Sequence, residues 1–93
     1  EDFPTAIICS NDQSARGMIM RANKLNISIP HDLSVVGFDN ADSTYFWPKI
    51  TTIAQDIPKI AANLFNLIVN PPDEPVQIKV DVNFVRGETC RKI

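Results

Sequence analysis

Asp39 is the side chain in this sequence best placed to act on another molecule. It stands with Asn40 at the polar end of Ser34-Val35-Val36-Gly37-Phe38, a short apolar run closed by a glycine and an aromatic. Such a run suits a buried parallel strand, and open α/β sheets hold their ligands at the carboxyl edge of such strands. A carboxylate there accepts hydrogen bonds from hydroxyl groups or a ligand cation, each strengthened by its charge. The competing reading gives Asp39 and Asn40 only the turn after the strand, a place that Asx residues often take. The other reactive side chains offer less. His31, the only histidine, lies in a proline turn with nothing to pair with. Cys9 has no base beside it in sequence, and three glycines make no phosphate-binding loop. Cys9 and Cys90 are too far apart for a metal motif and read as free thiols of a reducing compartment, with an isolated disulfide as the alternative. The expectation is a binding protein, not an enzyme, without metal or cofactor.

Several elements must position Asp39. Thr5-Ala6-Ile7-Ile8-Cys9 is a second candidate for a buried strand. It runs into Ser10-Asn11-Asp12-Gln13, where Ser10 and Gln13 have capping-box spacing and Asn11 or Asp12 would cap equally well. Beyond it Ala15, Met18, Ile19, Ala22 and Leu25 recur at helical spacing, with Arg21 and Lys24 near the negative helix end. Asn26 is a stop, and Pro30 holds Ile29 out of helical geometry. Strand, helix and strand in this span predict a βαβ unit with parallel strands. Ala41 to Pro48 breaks the pattern, and its three aromatics Tyr45, Phe46 and Trp47 predict packing, either on the chain's own core or at a subunit interface. Ile50-Thr51-Thr52-Ile53 is strand-like. Asp56 then caps a second helix with Pro58 in its first turn, and Ile57, Ile60, Ala61, Leu64, Leu67 and Ile68 form its apolar face. Asn70-Pro71-Pro72 ends it. From Val76 to Phe84 apolar and polar residues alternate, which predicts a half-exposed strand at a sheet edge.

Size and charge bound the rest. A chain of 93 residues is one domain or a piece of one, and the formal net charge of −2 without a basic block argues against nucleic-acid binding by these residues. No apolar run approaches the ~20 residues of a membrane span.

Four stretches together resemble the lactose-repressor/galactose-repressor (LacI/GalR) family of transcriptional regulators. Pro4-Thr5-Ala6-Ile7-Ile8-Cys9-Ser10-Asn11-Asp12-Gln13-Ser14-Ala15-Arg16-Gly17 resembles the family's P-x-A-(hydrophobic)-x-x-x-N-D-x-x-A-x-G. Ile29-Pro30-His31-Asp32-Leu33-Ser34-Val35-Val36-Gly37-Phe38-Asp39-Asn40 resembles I-P-x-D-(hydrophobic)-S-V-V-G-F-D-(D/N). Pro48-Lys49-Ile50-Thr51-Thr52-Ile53-Ala54-Gln55 resembles P-x-L-T-T-(V/I)-x-Q, and Phe84-Val85-Arg86-Gly87-Glu88-Thr89 is similar to the closing strand. The resemblance covers nearly the whole chain in co-linear order.

What it implies is an α/β fold: a partial lobe of the type I periplasmic-binding-protein kind, with a βαβ unit, a crossing strand, a helix and an edge strand. Residues 1–54 would be the βαβ unit and crossing strand of the second lobe, 55–75 a helix returning toward a first lobe, and 76–93 the final strand. The implied function is the effector-sensing part of a cytoplasmic repressor, with a sugar or related small molecule as effector. Lobe closure would control a homodimer that binds DNA through a helix-turn-helix outside these residues. The family's effector contacts carry over to Asp39, Asn11 and Gln55. Its dimer interface carries over to Ala15, Met18, Ile19 and Ala22 on the first helix and to Tyr45, Phe46 and Trp47. An exported sugar-binding protein of a transporter shares the fold and is the alternative. The second helix, without a first lobe to pack on, has an apolar face that is covered by the βαβ unit, covered by another chain, or exposed.

Overall fold

The computed structural model describes residues 2–41 and 46–93. Six elements follow in the order β1 (Ala6–Ile8), α1 (Asp12–Lys24), β2 (Ser34–Val36), β3 (Thr52–Gln55), α2 (Ile57–Val69) and β4 (Val82–Val85). The fold is mixed α/β, as the sequence implies.

Of the candidate caps, Asn11 starts α1: its side-chain oxygen accepts the Ser14 N–H at 2.8 Å. Asp12 in the first turn and Arg21 and Lys24 in the last complement the helix dipole. The far end closes on Asn26, whose φ of 58° is left-handed. Asn26 N–H bonds Asn23 O at 3.2 Å and Ile27 N–H bonds Ala22 O at 3.0 Å, which is a Schellman ending. Gly17 lies in the exposed middle of this helix, and a methyl group there would meet nothing within 4 Å. Gly17→Ala is therefore expected to raise stability by about 0.5–1 kcal/mol, because alanine restricts the unfolded chain. Urea titration of variant and parent reads this, and a lower midpoint would mean that the Gly17 face is covered by another molecule.

β1 and β2 pair in parallel, Ala6 opposite Ser34 and Ile8 opposite Val36. Beyond β2 the chain stays beside β3: Gly37 N–H bonds Thr51 O and Asp39 N–H bonds Ile53 O, each at 2.9 Å, in parallel bridges. β3 then pairs antiparallel with β4, from Thr52 opposite Val85 to Gln55 opposite Val82. The core is Ala15, Ile19, Leu33, Val35 and Ile50, with Ile7, Cys9, Ile27, Ile29 and Phe46 packed around it.

Three expectations need correction. β1 is not a buried strand: Ile7 turns toward the core, whereas Ile8 points to the opposite face and is 82% exposed. Alternation sends successive side chains to opposite faces, and only one face of β1 is covered by α1. The alternating stretch is a strand only over Val82–Val85. A strand requires a partner ladder, and the four residues of β3 pair only that far. Ahead of it Val76, Ile78 and Val80 instead line a groove of about 310 Å³ with Ile60, Leu64 and Leu67 of α2. Trp47 does not pack on the chain's own core, since it is 77% exposed; Phe46 does, half-buried under the Arg16 guanidinium 4.9 Å from its ring centre. Tyr45 lies outside the described residues.

α2 begins as its sequence requires, with the Asp56 carboxylate accepting the Lys59 N–H at 3.0 Å and Pro58 in the first turn. None of its residues is buried. The βαβ unit therefore does not cover its apolar face.

Candidate functional site

The parallel run of β1, the β2 extension and β3 brings three carboxyl ends to one edge of the sheet. Asn11 follows β1, Asp39 follows β2, and Gln55 ends β3. Asp39 and Gln55 meet directly, with Gln55 Nε2 donating to Asp39 Oδ1 at 2.7 Å. A carboxylate offers about four acceptor positions, so the exposed Asp39 keeps acceptor capacity toward solvent after this bond. Asn11 stands at the same edge, but its side-chain oxygen is committed to the helix cap. Its amide nitrogen keeps two donors. The edge thus presents acceptors on Asp39 and a donor pair on Asn11, a set that suits a ligand rich in hydroxyl groups.

Asp39 reaches this position through unusual backbone. Its φ is 101° and that of Asn40 is 57°. For residues other than glycine such geometry costs on the order of 1–3 kcal/mol each, and it persists only where the surroundings hold it. Here they do. Phe38 O accepts the Asp12 N–H at 2.9 Å, Asp39 N–H bonds Ile53 O at 2.9 Å, and Asn40 N–H reaches Thr52 Oγ1 at 3.4 Å.

Sequence reasoning missed Asp12. It was one of several candidate caps, yet its side chain is only 2% exposed and accepts the Thr52 hydroxyl at 2.6 Å. The available signal was Gly37, whose missing side chain leaves room for the Asp12 carboxylate: a methyl group there would collide with Asp12 Oδ1.

Of the residues expected at a dimer interface, Tyr45 lies outside the described residues and Phe46 is half-buried; the other five separate into two groups. Ala15, Ile19 and Ala22 are at most 3% exposed and are spent on the chain's own core. A helix on a sheet must bury one stripe, and these three are that stripe. Met18 and Trp47 remain accessible on the surface. The remaining reactive groups stay apart from the edge. Cys9 and Cys90 are free thiols, and burial pushes the Cys9 thiol up from its ordinary pKa. Asp32 is held below the usual carboxylate range, first by its contact with His31 and then by the Ser28 N–H. Among the described residues no cluster of three His, Cys, Asp or Glu side chains is placed to hold a metal, and no helix is long and apolar enough to cross a membrane.

Comparison with known proteins identifies the family and the fold. Residues 1–90 match the periplasmic binding protein-like domain. The HTH-type transcriptional repressor PurR of Vibrio vulnificus is 40% identical over 70 residues, which is 74% of this chain and 21% of the repressor. PurR of Escherichia fergusonii is 38% identical over 82 residues, 83% of this chain and 24% of the repressor. The chain therefore spans less than a quarter of the length of these curated relatives. Among solved structures, a LacI-type transcription regulator from Bifidobacterium animalis superposes with a TM-score of 0.83 at 32% identity, over 96% of this chain and 34% of that one. A LacI family regulator from Enterococcus faecium with bound ribose gives a TM-score of 0.79 at 32% identity, over 96% of this chain and 35% of that one.

Proposed function

We propose, on the premise that this chain belongs to the periplasmic binding protein-like domain family in its LacI/GalR branch, that it senses a small hydroxyl-bearing effector, most simply a sugar. The observation that carries the reading is the Asp39–Gln55 pair at the carboxyl edge of the parallel strands. Asp39 accepts hydroxyl hydrogen bonds from the effector, Gln55 holds the carboxylate in place, and the Asn11 amide donates from the neighbouring strand end. The ribose-bound Enterococcus faecium regulator supports a sugar as the class. In the two-lobed arrangement of this family the effector is gripped between this edge and a further lobe, and closure shifts a population between two states. In the full-length protein that equilibrium governs DNA binding by a separate segment, as a cytoplasmic dimer to which Met18 and Trp47 contribute surface.

The test is made in the full-length protein with ribose, glucose and sucrose as probes, by calorimetric titration and by operator binding. Asp39→Asn is expected to weaken the bound sugar about 10- to 100-fold, the worth of one or two charge-assisted hydrogen bonds. The effector-dependent change in operator affinity should vanish, with operator binding in the absence of sugar at its parental strength. An undiminished sugar response in Asp39→Asn would remove Asp39 from the site.

A further inference from the structure

The Asp12 carboxylate is an odd thing to bury. It is 2% exposed, and among the described residues its Oδ1 accepts a single hydroxyl while its fully enclosed Oδ2 has no hydrogen-bond partner. Serving the α1 dipole does not require burial, since an exposed acid in the first turn does the same, and burying a half-satisfied carboxylate is costly. What Asp12 does have is a set of contacts, direct or through Thr52, around the turn that aims Asp39. Its backbone N–H fixes Phe38 O, the residue before Asp39. Its side chain rests against Gly37, where no methyl group would fit beside it. Its Oδ1 takes the Thr52 hydroxyl proton at 2.6 Å, and this leaves the Thr52 oxygen lone pairs free to accept the Asn40 N–H.

We infer that Asp12 and Thr52 form a positioning pair for the effector site. The chain of bonds runs from Asp12 Oδ1 to the Thr52 hydroxyl and on to the Asn40 N–H, and so clamps the Phe38–Asn40 turn against β3. The clamp holds Asp39 at a positive φ that it would otherwise leave, with its carboxylate toward the ligand side and onto Gln55. Neither Asp12 nor Thr52 touches the effector. Thr52 is fully buried and Asp12 nearly so, and both act through Asp39. The inference rests on the proposed effector site and extends it to residues behind the strand edge.

A double-mutant cycle in the full-length protein separates the two. The probe is whichever of ribose, glucose and sucrose the parent binds, titrated at a temperature where circular dichroism shows each variant folded. Thr52→Val deletes the hydroxyl at nearly constant volume and is expected to weaken the sugar about tenfold, and Asp12→Ala about as much. Thr52→Ser and Asp12→Asn keep the hydroxyl and its acceptor, and should stay close to the parent. In an Asp39→Asn background Thr52→Val should cost no further affinity, because the residue it positions is already disabled. A role confined to folding would lower the melting temperature of Thr52→Val and leave its sugar affinity at the parental value, and that result overturns the inference. If Thr52→Val does not fold, Asp12→Ala reads the same quantity. If Asp39→Asn itself leaves binding unchanged, the site reading has failed. A sensitive Asp39→Asn with insensitive Thr52→Val and Asp12→Ala defeats the positioning pair alone.

Discussion

Gly87→Ala is expected to destabilise the protein by at least about 3 kcal/mol, the upper range for forced overpacking. Backbone conformation is not the cause, since no glycine of the chain has a positive φ. The cause is proximity. A methyl group at position 87 would overlap Lys49 O, and would lie 2.5 Å from Ile50 C and 2.6 Å from Thr51 N. All three are main-chain atoms of the segment leading into β3, so no side-chain rotation relieves the clash. The segment after β4 must lift away from that main chain, which breaks Gly87 N–H to Thr51 Oγ1 at 3.1 Å and Glu88 N–H to Lys49 O at 2.6 Å. A domain of this size has only roughly 5–15 kcal/mol of stability to lose. Urea titration against the parent reads the cost. A midpoint within about 1 kcal/mol of the parent would show that the close approach is not maintained. Gly17→Ala is the contrasting control, because the same methyl group meets open space there.

The difference between those two glycines marks what the sequence can and cannot disclose. Local rules were readable: Asp56 with Pro58 announced the start of α2, Pro71-Pro72 its end, and the stripe Ala15, Ile19, Ala22 the buried face of α1. Parallel pairing of β1 and β2 followed from strand, helix and strand in succession. The polar end of the Ser34–Phe38 run drew attention to Asp39, whereas Asn11 and Gln55 came only from the resemblance to the LacI/GalR family. Contacts across long sequence separations were not. Asp12 meets Thr52 forty residues away, and nothing in its neighbourhood separates a buried carboxylate from a cap. Alternation over Val76–Phe84 describes a face and says nothing about a partner, so the strand was overlong by everything that β3 does not reach. The surroundings of Trp47 and Ile68, 77% and 78% exposed, stayed open for the opposite reason: hydrophobic residues signal burial without saying by what.

The longest of these hidden contacts carries the second large effect. Thr89, near the end of the chain, is fully buried between β2 and β3. Where parallel strands would exchange a rung, Thr51 N–H donates to Thr89 Oγ1 at 2.9 Å and the Thr89 hydroxyl donates to Val35 O at 2.6 Å. Thr89 O in turn accepts Val35 N–H at 2.8 Å. One residue thus ties both main-chain groups of Val35 and one of Thr51, and stitches the terminal segment into the core. Thr89→Val keeps the volume and removes the relay, leaving Thr51 N–H without its acceptor and Val35 O with only the Cys90 thiol at 3.4 Å. Unpaired buried groups cost about 1–3 kcal/mol each, so the expected loss is about 2–4 kcal/mol. Thr89→Ser keeps the hydroxyl and gives up one methyl group, for about 1 kcal/mol. The ranking is the discriminating observation, because packing alone would favour valine and the relay favours serine. Amide exchange adds a local reading: the Thr51 N–H should lose protection in Thr89→Val under conditions where the helix amides of α1 keep theirs. If valine proves the milder substitution, β2 and β3 close their rung directly, and Thr89 fills space between them without carrying their hydrogen bonds.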